Sequence, residues 1–113
     1  MRYLLLLHVD ESGWPQLTPA QQAEGMAAYG AYNEALAGAG ALVSSGRLAP
    51  SAAAVGIRTI GGKPVTMDGP FAETKEQVGG YYLIEAPDLA VALEWARQCP
   101  ATGHGSVEVR QVL

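Results

Sequence analysis

The sequence predicts an α+β fold of the ferredoxin-like kind, βαββαβ with a β-hairpin insert, in which two helices cover one face of an antiparallel sheet. Three observations predict it. An apolar run opens the chain, two segments with helix-start signals follow apolar strands, and an alternating strand closes the chain. With 113 residues the chain has the size of one domain, which we expect to span 1–113.

The first half of the chain supplies a strand, a helix and a second strand. Residues 3–9 form a continuous apolar run, which is typical of a strand buried on both faces. Thr18 and Gln21 give the following helix a capping box, and Pro19 suits its first turn. Residues 41–50 predict the second strand. The apolar stripe of the helix recurs at steps of three and four: Met26, Tyr29, Tyr32 or Ala28, Leu36 and Ala39.

The second half begins with a hairpin and then repeats the strand–helix–strand order. Gly61-Gly62 is a hairpin turn between the alternating residues of 52–67. Residues 78–86 predict a strand, 87–100 a helix with Asp88 as its N-cap, and 105–113 the closing strand. The inward face of this second helix is predicted to consist of Leu89, Ala92, Leu93 and Ala96.

Two helices can cover only one face of the sheet, and the other face is also largely apolar. We expect that face to carry Leu4, Leu6, Val43 and Val109, or their neighbours. It therefore needs a cover. A second copy of the chain is the economical one, because two-fold dimers are the commonest oligomers, so we expect a homodimer.

Composition and charge argue against several classes of protein. The net charge is −4 and the seven basic residues are scattered, which argues against a nucleic-acid partner. No apolar run reaches the length of a membrane span, and the apolar start is too short for a signal peptide, so we expect a cytoplasmic protein without a membrane partner. A single cysteine, Cys99, excludes an internal disulfide and is typical of a small buried hydrophobe. Because no metal-ligand spacing, P-loop or nucleophile elbow is present, we expect no metal and no cofactor.

His8 and Asp68 are the candidate catalytic residues. His8 ends the first strand on the same face as Leu4 and Leu6, and histidine is the side chain best suited to proton transfer near neutral pH. The alternative is a histidine with a structural role in the core or at an interface. Asp68 opens a Gly-Pro turn, where it could act as a general base at the mouth of a pocket or simply accept backbone hydrogen bonds.

Four further residues are candidates for binding a small anionic or aromatic ligand. Arg47 and Arg110 either hold an anion or form internal ion pairs, Arg110 with Glu108 on its own strand face. Tyr82 can offer its hydroxyl to a pocket, although strand alternation places Tyr81 and Tyr82 on opposite faces without deciding which faces it. Phe71, the only phenylalanine, either lines the ligand site or fills the core or the dimer seam.

With the first strand, "SSGRL" and "GSVEVRQV", the stretch "DGPFAETKEQVGGYYLIE" resembles the YCII-related family, and in particular the branch named for its DGPF motif. The motif here is Asp68, Gly69, Pro70 and Phe71, and the resemblance covers essentially the whole chain. It implies a dimeric α+β barrel in which two ferredoxin-like sheets face each other. It also implies a small-molecule enzyme, with dehydrochlorinase-like and muconolactone-isomerase-like relatives, and members of this branch are often encoded beside extracytoplasmic-function sigma factors.

The chain departs from part of the family at one proposed acid–base pair. Some relatives carry a histidine on the first helix and an aspartate near its end, and the corresponding positions here are Tyr29 and Gly38. Catalytic roles therefore do not carry over by resemblance. Three hypotheses follow: an acid–base enzyme in a barrel pocket, a non-catalytic ligand-binding or accessory protein linked to sigma-factor signalling, and a structural dimer without a pocket.

Overall fold

The computed structural model describes residues 1–69 and 75–113, and in these residues it contains two α-helices, a four-stranded sheet and a two-stranded sheet. The predicted order of elements is confirmed. The elements are β1 (Arg2–Val9), α1 (Pro19–Gly38), β2 (Leu42–Arg47), β3 (Val55–Ile60), β4 (Lys63–Asp68), β5 (Gln77–Glu85), α2 (Leu89–Gln98) and β6 (Gly105–Val112). Neither helix combines the length and the hydropathy that a membrane-spanning segment requires.

The four-stranded sheet has the order β2-β5-β1-β6, and each neighbouring pair is antiparallel. This is the ferredoxin-like order, because each helix carries the chain past the neighbouring strand to the next but one. β1 lies between β5 and β6, so Leu6 is opposite Tyr81 on one side and Glu108 on the other. The pairing therefore fixes which side chains of three strands share a face.

The core lies between the helices and one face of this sheet. Tyr3, Leu5 and Leu7 alternate along β1 and are buried, as the helices pack on that side. The helices contribute mainly Tyr32, Leu36, Ala92 and Ala96. The small side chains of Ala92 and Ala96, one turn apart, let α2 approach the sheet closely. Thr18 and Gln21 form the predicted capping box at the start of α1, with hydrogen bonds of 3.1 and 2.9 Å.

Three predictions about which residues face the core were wrong. Met26 and Ala39 of the predicted stripe are exposed, whereas Tyr32 and Leu36 are buried. Leu89 and Leu93 are exposed, and Trp95 packs against the core instead, beside Ala92 and Ala96. Val109 was expected on the uncovered face, but it lies opposite Leu5, and so it faces the helices.

β3 and β4 form a separate two-stranded ribbon, residues 55–68, which we call the hairpin arm. The predicted turn at Gly61-Gly62 is confirmed. Both glycines have positive φ, 59° and 80°, and the strands on either side pair from Ile60 opposite Lys63. Two consecutive residues of positive φ give the turn type whose twist matches that of the paired strands, and glycine adopts it without strain.

Candidate functional site

The candidate site lies on the face of the four-stranded sheet that the helices leave uncovered, which we call the open face. Because Tyr3, Leu5 and Leu7 face the helices, Leu4, Leu6 and His8 point to the open face. This confirms the placement predicted for these three. The residues opposite them share that face: Tyr81 and Leu83 on β5, and Ser106, Glu108 and Arg110 on β6.

His8 and Glu108 form the central polar pair of the open face. Nε2 of His8 lies 2.9 Å from Oε1 of Glu108, and both side chains are partly exposed. An imidazole N–H that donates to a carboxylate has a fixed orientation and tautomer. Nδ1 of His8, which has no hydrogen bond to any described residue, is then the ring nitrogen left for chemistry.

Antiparallel pairing brings these two residues together across 100 positions of sequence. Ser106 is directly opposite His8, and Glu108 is opposite Leu6, so His8 and Glu108 are diagonal neighbours on one face. Diagonal positions are within reach of long side chains. Gly105 allows β6 to approach β1 closely beside His8, because a Cβ at position 105 would overlap the carbonyl oxygen of His8.

Further polar groups surround the pair. Nε of Arg110 lies 3.9 Å from Oε2 of Glu108, and the arginine side chain is largely exposed, so its guanidinium remains accessible to an anion. The hydroxyl of Ser106 donates to Oε1 of Glu76 at 3.3 Å. Around His8, the open face therefore combines the apolar side chains of Leu4 and Leu6 with the carboxylates of Glu76 and Glu108 and the guanidinium of Arg110.

Asp68 and Arg47 lie elsewhere. Asp68 is exposed at the end of β4, opposite Val55, and therefore belongs to the hairpin arm and not to the sheet that carries His8. Arg47 lies opposite Gly80 on the side of the helices, and its guanidinium carbon stacks 5.5 Å from the ring centre of Trp14. Phe71 and Pro70 lie outside the described residues.

Tyr82 lies under α1. Its hydroxyl donates to Oδ1 of Asn33 at 2.5 Å, and its ring packs edge-on against Tyr32. Burial raises the pKa of Tyr82 to about 12. Tyr81 is the member of the pair that points to the open face, where it lies opposite Leu6. Strand alternation could not decide which of Tyr81 and Tyr82 faces the open side, because both residues are tyrosines.

The sequence indicated Glu108 only as a possible partner of Arg110. The stronger partner is His8, and the signal that would have found it is the strand order: a ferredoxin-like sheet pairs its first and last strands. A second polar pair lies on the helix side, where the hydroxyl of Tyr29 is 3.3 Å from Nε2 of His104. Burial raises the pKa of Tyr29 to about 12.

Within the described ranges, no three His, Cys, Asp or Glu side chains lie close enough to hold a metal ion. The chemistry that the open face offers is proton transfer by His8, held by Glu108, next to a cationic group that attracts anions.

Comparisons with known proteins agree with this fold. The chain is 40% identical over 114 residues to an uncharacterised protein of Rhizobium meliloti (strain 1021), covering 97% of this chain and 90% of the relative. Among solved structures it is similar to 5-chloro-2-hydroxyhydroquinone dehydrochlorinase (TftG) from Burkholderia phenoliruptrix AC1100, in complex with 2,5-dihydroxybenzoquinone. That match has a TM-score of 0.57 and 18% identity and covers 100% of this chain and 94% of the other, so it concerns the fold alone. The model of the YCII-related domain matches residues 1–113, and the chain therefore belongs to the YCII-related family.

Proposed function

We propose that this protein is an enzyme that moves protons on a small molecule, in a pocket formed when two copies bring their open faces together. The observation that carries the proposal is the pair of His8 and Glu108, 2.9 Å apart on the sheet face that the helices leave open. A carboxylate that orients an imidazole is a recurring arrangement of acid–base catalysis. The second copy would exclude water from the pair and strengthen its electrostatic effect.

In the proposed reaction, Nδ1 of His8 accepts a proton from an O–H or C–H bond of the substrate. Glu108 acts through His8 as a positioning residue, because it holds Nε2–H and stabilises the imidazolium that forms. In an isomerisation, His8 returns the proton to a different atom of the same molecule. In a dehydrochlorination, the electron pair of the O–H or C–H bond that loses its proton forms a new π bond in the substrate, and the C–Cl electron pair leaves with the chlorine. The products are the unsaturated organic molecule, chloride and the proton that His8 has taken.

The substrate class follows from the pocket walls and from the similar fold. Leu4, Leu6 and Tyr81 offer a flat apolar surface that suits a small ring, and Arg110 offers a charge for a phenolate or carboxylate. The structural neighbour is a dehydrochlorinase with a bound hydroxyquinone. We therefore propose hydroxylated chloroaromatics and lactones as the first compounds to test. We also propose, on Asp68 and Gly69 with Pro70 and Phe71, that the chain belongs to the DGPF branch of the family.

Turnover of chlorinated hydroxyquinols and lactones, measured for wild type and His8→Ala, tests the proposal. We expect His8→Ala to lower kcat at least about a hundredfold, and Glu108→Gln to lower kcat more than it raises KM. His104→Ala is the matched control, because His104 is an exposed histidine on the helix side and should keep wild-type activity.

Two outcomes would contradict the enzyme proposal. If His8→Ala turns substrate over as fast as wild type does, His8 is not the acid or base. The alternative applies if wild type binds a hydroxyquinone in calorimetry, Arg110→Ala does not bind it, and wild type turns over no compound of either class. The protein would then be a non-catalytic ligand-binding or accessory protein, and the link to sigma-factor signalling that the resemblance to the DGPF branch implies would be the next hypothesis.

A further inference from the structure

The hairpin arm exposes an unusual amount of apolar surface. The exposed fractions of its large aliphatic side chains are 62% for Val55, 75% for Ile57, 56% for Ile60 and 39% for Val65. Among the described residues no third strand pairs with the arm, and an isolated two-stranded ribbon is only marginally stable in water. An arm with these side chains therefore calls for a surface to cover it.

The arm extends away from the rest of the chain. The radius of gyration is 16.0 Å, whereas a compact chain of this length has about 13 Å. Strands of six residues, at about 3.4 Å per residue, make an arm of about 20 Å. The chain measures 49 × 40 × 18 Å, and the length of the arm is close to the shortest of these dimensions. One arm can therefore reach across a second copy.

One side of the arm is both apolar and basic. The register places Arg58 opposite Val65, Ile60 opposite Lys63, and Gly56 opposite Met67 on this side. A shallow groove of about 220 Å³ lies on the arm, lined by Gly56, Ile57, Arg58 and Met67. The groove has the size to accept a side chain from a docked surface.

Charge identifies the occupant. With Arg58, Lys63 and Asp68, the arm has a net charge of +1. Because the whole chain has a net charge of −4, the rest of the chain has a net charge of −5. A basic, apolar arm is thus complementary to the acidic body of the same protein. Between two identical chains this complementarity occurs twice, once for each arm.

We propose that the hairpin arm docks on the body of a second copy of this chain, so that two copies exchange arms. Ile60 and Val65 lie against the other copy, and Arg58 and Lys63, which share their side of the arm, face its carboxylates. The arm thereby adds to the dimer a contact separate from the open face. This inference is independent of the acid–base chemistry proposed above.

Sedimentation velocity of wild type and of Arg58→Glu/Lys63→Glu tests the proposal. Both side chains are exposed, so the variant should fold, and we expect its dimer dissociation constant to rise at least tenfold at low salt. A second variant, Ile60→Ser/Val65→Ser, should weaken the dimer in a salt-independent way. Met26→Ser is the control, because Met26 is an exposed apolar residue on α1.

Dimer dissociation constants equal to that of wild type in both arm variants would overturn the proposal. So would equal exchange of the arm's amide hydrogens in dilute and concentrated protein, because docking must protect the arm. Neither result concerns the acid–base proposal, which fails on the turnover of His8→Ala. The two inferences can therefore fail separately.

Discussion

Single side chains in this protein are placed by the partner that each contacts on another element, as Tyr82 illustrates. Its hydroxyl is buried and donates to Oδ1 of Asn33, which joins β5 to α1. We expect Tyr82→Phe to lower the free energy of unfolding by about 1–2 kcal/mol, because the acceptor on Asn33 loses its donor in a desolvated site. Urea unfolding at pH 7 measures this. Tyr81→Phe, on the open face, is the control, and an equal loss in the two variants would contradict the assignment.

The same tyrosine predicts an alkaline limit to stability. Burial raises the pKa of Tyr82 to about 12 in the folded state, against about 10 in the unfolded chain. Between these values the unfolded chain binds fewer protons, so the contribution of Tyr82 to stability is complete below pH 10 and is lost as the pH rises towards 12. Urea midpoints at pH 9, 10 and 11 should therefore fall more steeply for wild type than for Tyr82→Phe. Parallel profiles would show that Tyr82 is not responsible.

Pairing between elements places the candidate site, and Gly105 is where that pairing is tightest. A Cβ at this position would overlap the carbonyl oxygen of His8, so Gly105→Ala must push β6 away from β1. We expect a loss of about 1–3 kcal/mol of stability together with a fall in any His8-dependent activity. Gly103→Ala is the matched control, because no atom outside the neighbouring residues lies within 4 Å of a Cβ there. Unchanged activity in Gly105→Ala would mean that the pair of His8 and Glu108 is not needed.

The sequence predicted the elements better than the contacts between them. Capping residues, the Gly61-Gly62 turn and apolar alternation are local signals, and each led to the correct element. The face of Val109 depends on which residue of β1 lies opposite it, which no local pattern contains. The partner of His8 could not be predicted for the same reason, since Glu108 is 100 residues away and its position follows only from the order of the strands.

At the scale of the whole molecule, the two sides of the sheet have different roles. The helix side is closed by a core of tyrosines, leucines and alanines, and its buried hydroxyls of Tyr32 and Tyr82 are both hydrogen-bonded. The open side keeps Leu4, Leu6 and Leu83 only partly covered, next to the residues proposed for catalysis. A fold that buries one face and leaves an apolar second face with charges along one strand is suited to close its site with another molecule.

The open face predicts a dimer that one substitution should break. Leu6 lies near its centre, between Tyr81 and Glu108, so Leu6→Asp would place a carboxylate in the proposed interface and beside an existing one. Light scattering at micromolar concentration should give the mass of a dimer for wild type and of a monomer, 11.8 kDa, for Leu6→Asp.

Leu89→Asp is the matched control, because Leu89 is an exposed leucine on α2 and should leave the dimer intact. A wild-type monomer at this concentration would contradict the barrel, and with it the closed pocket that the acid–base proposal requires. A Leu6→Asp variant that remains dimeric would instead place the main contact elsewhere. The hairpin arm is then the next surface to test, because it exposes large aliphatic side chains away from the sheet.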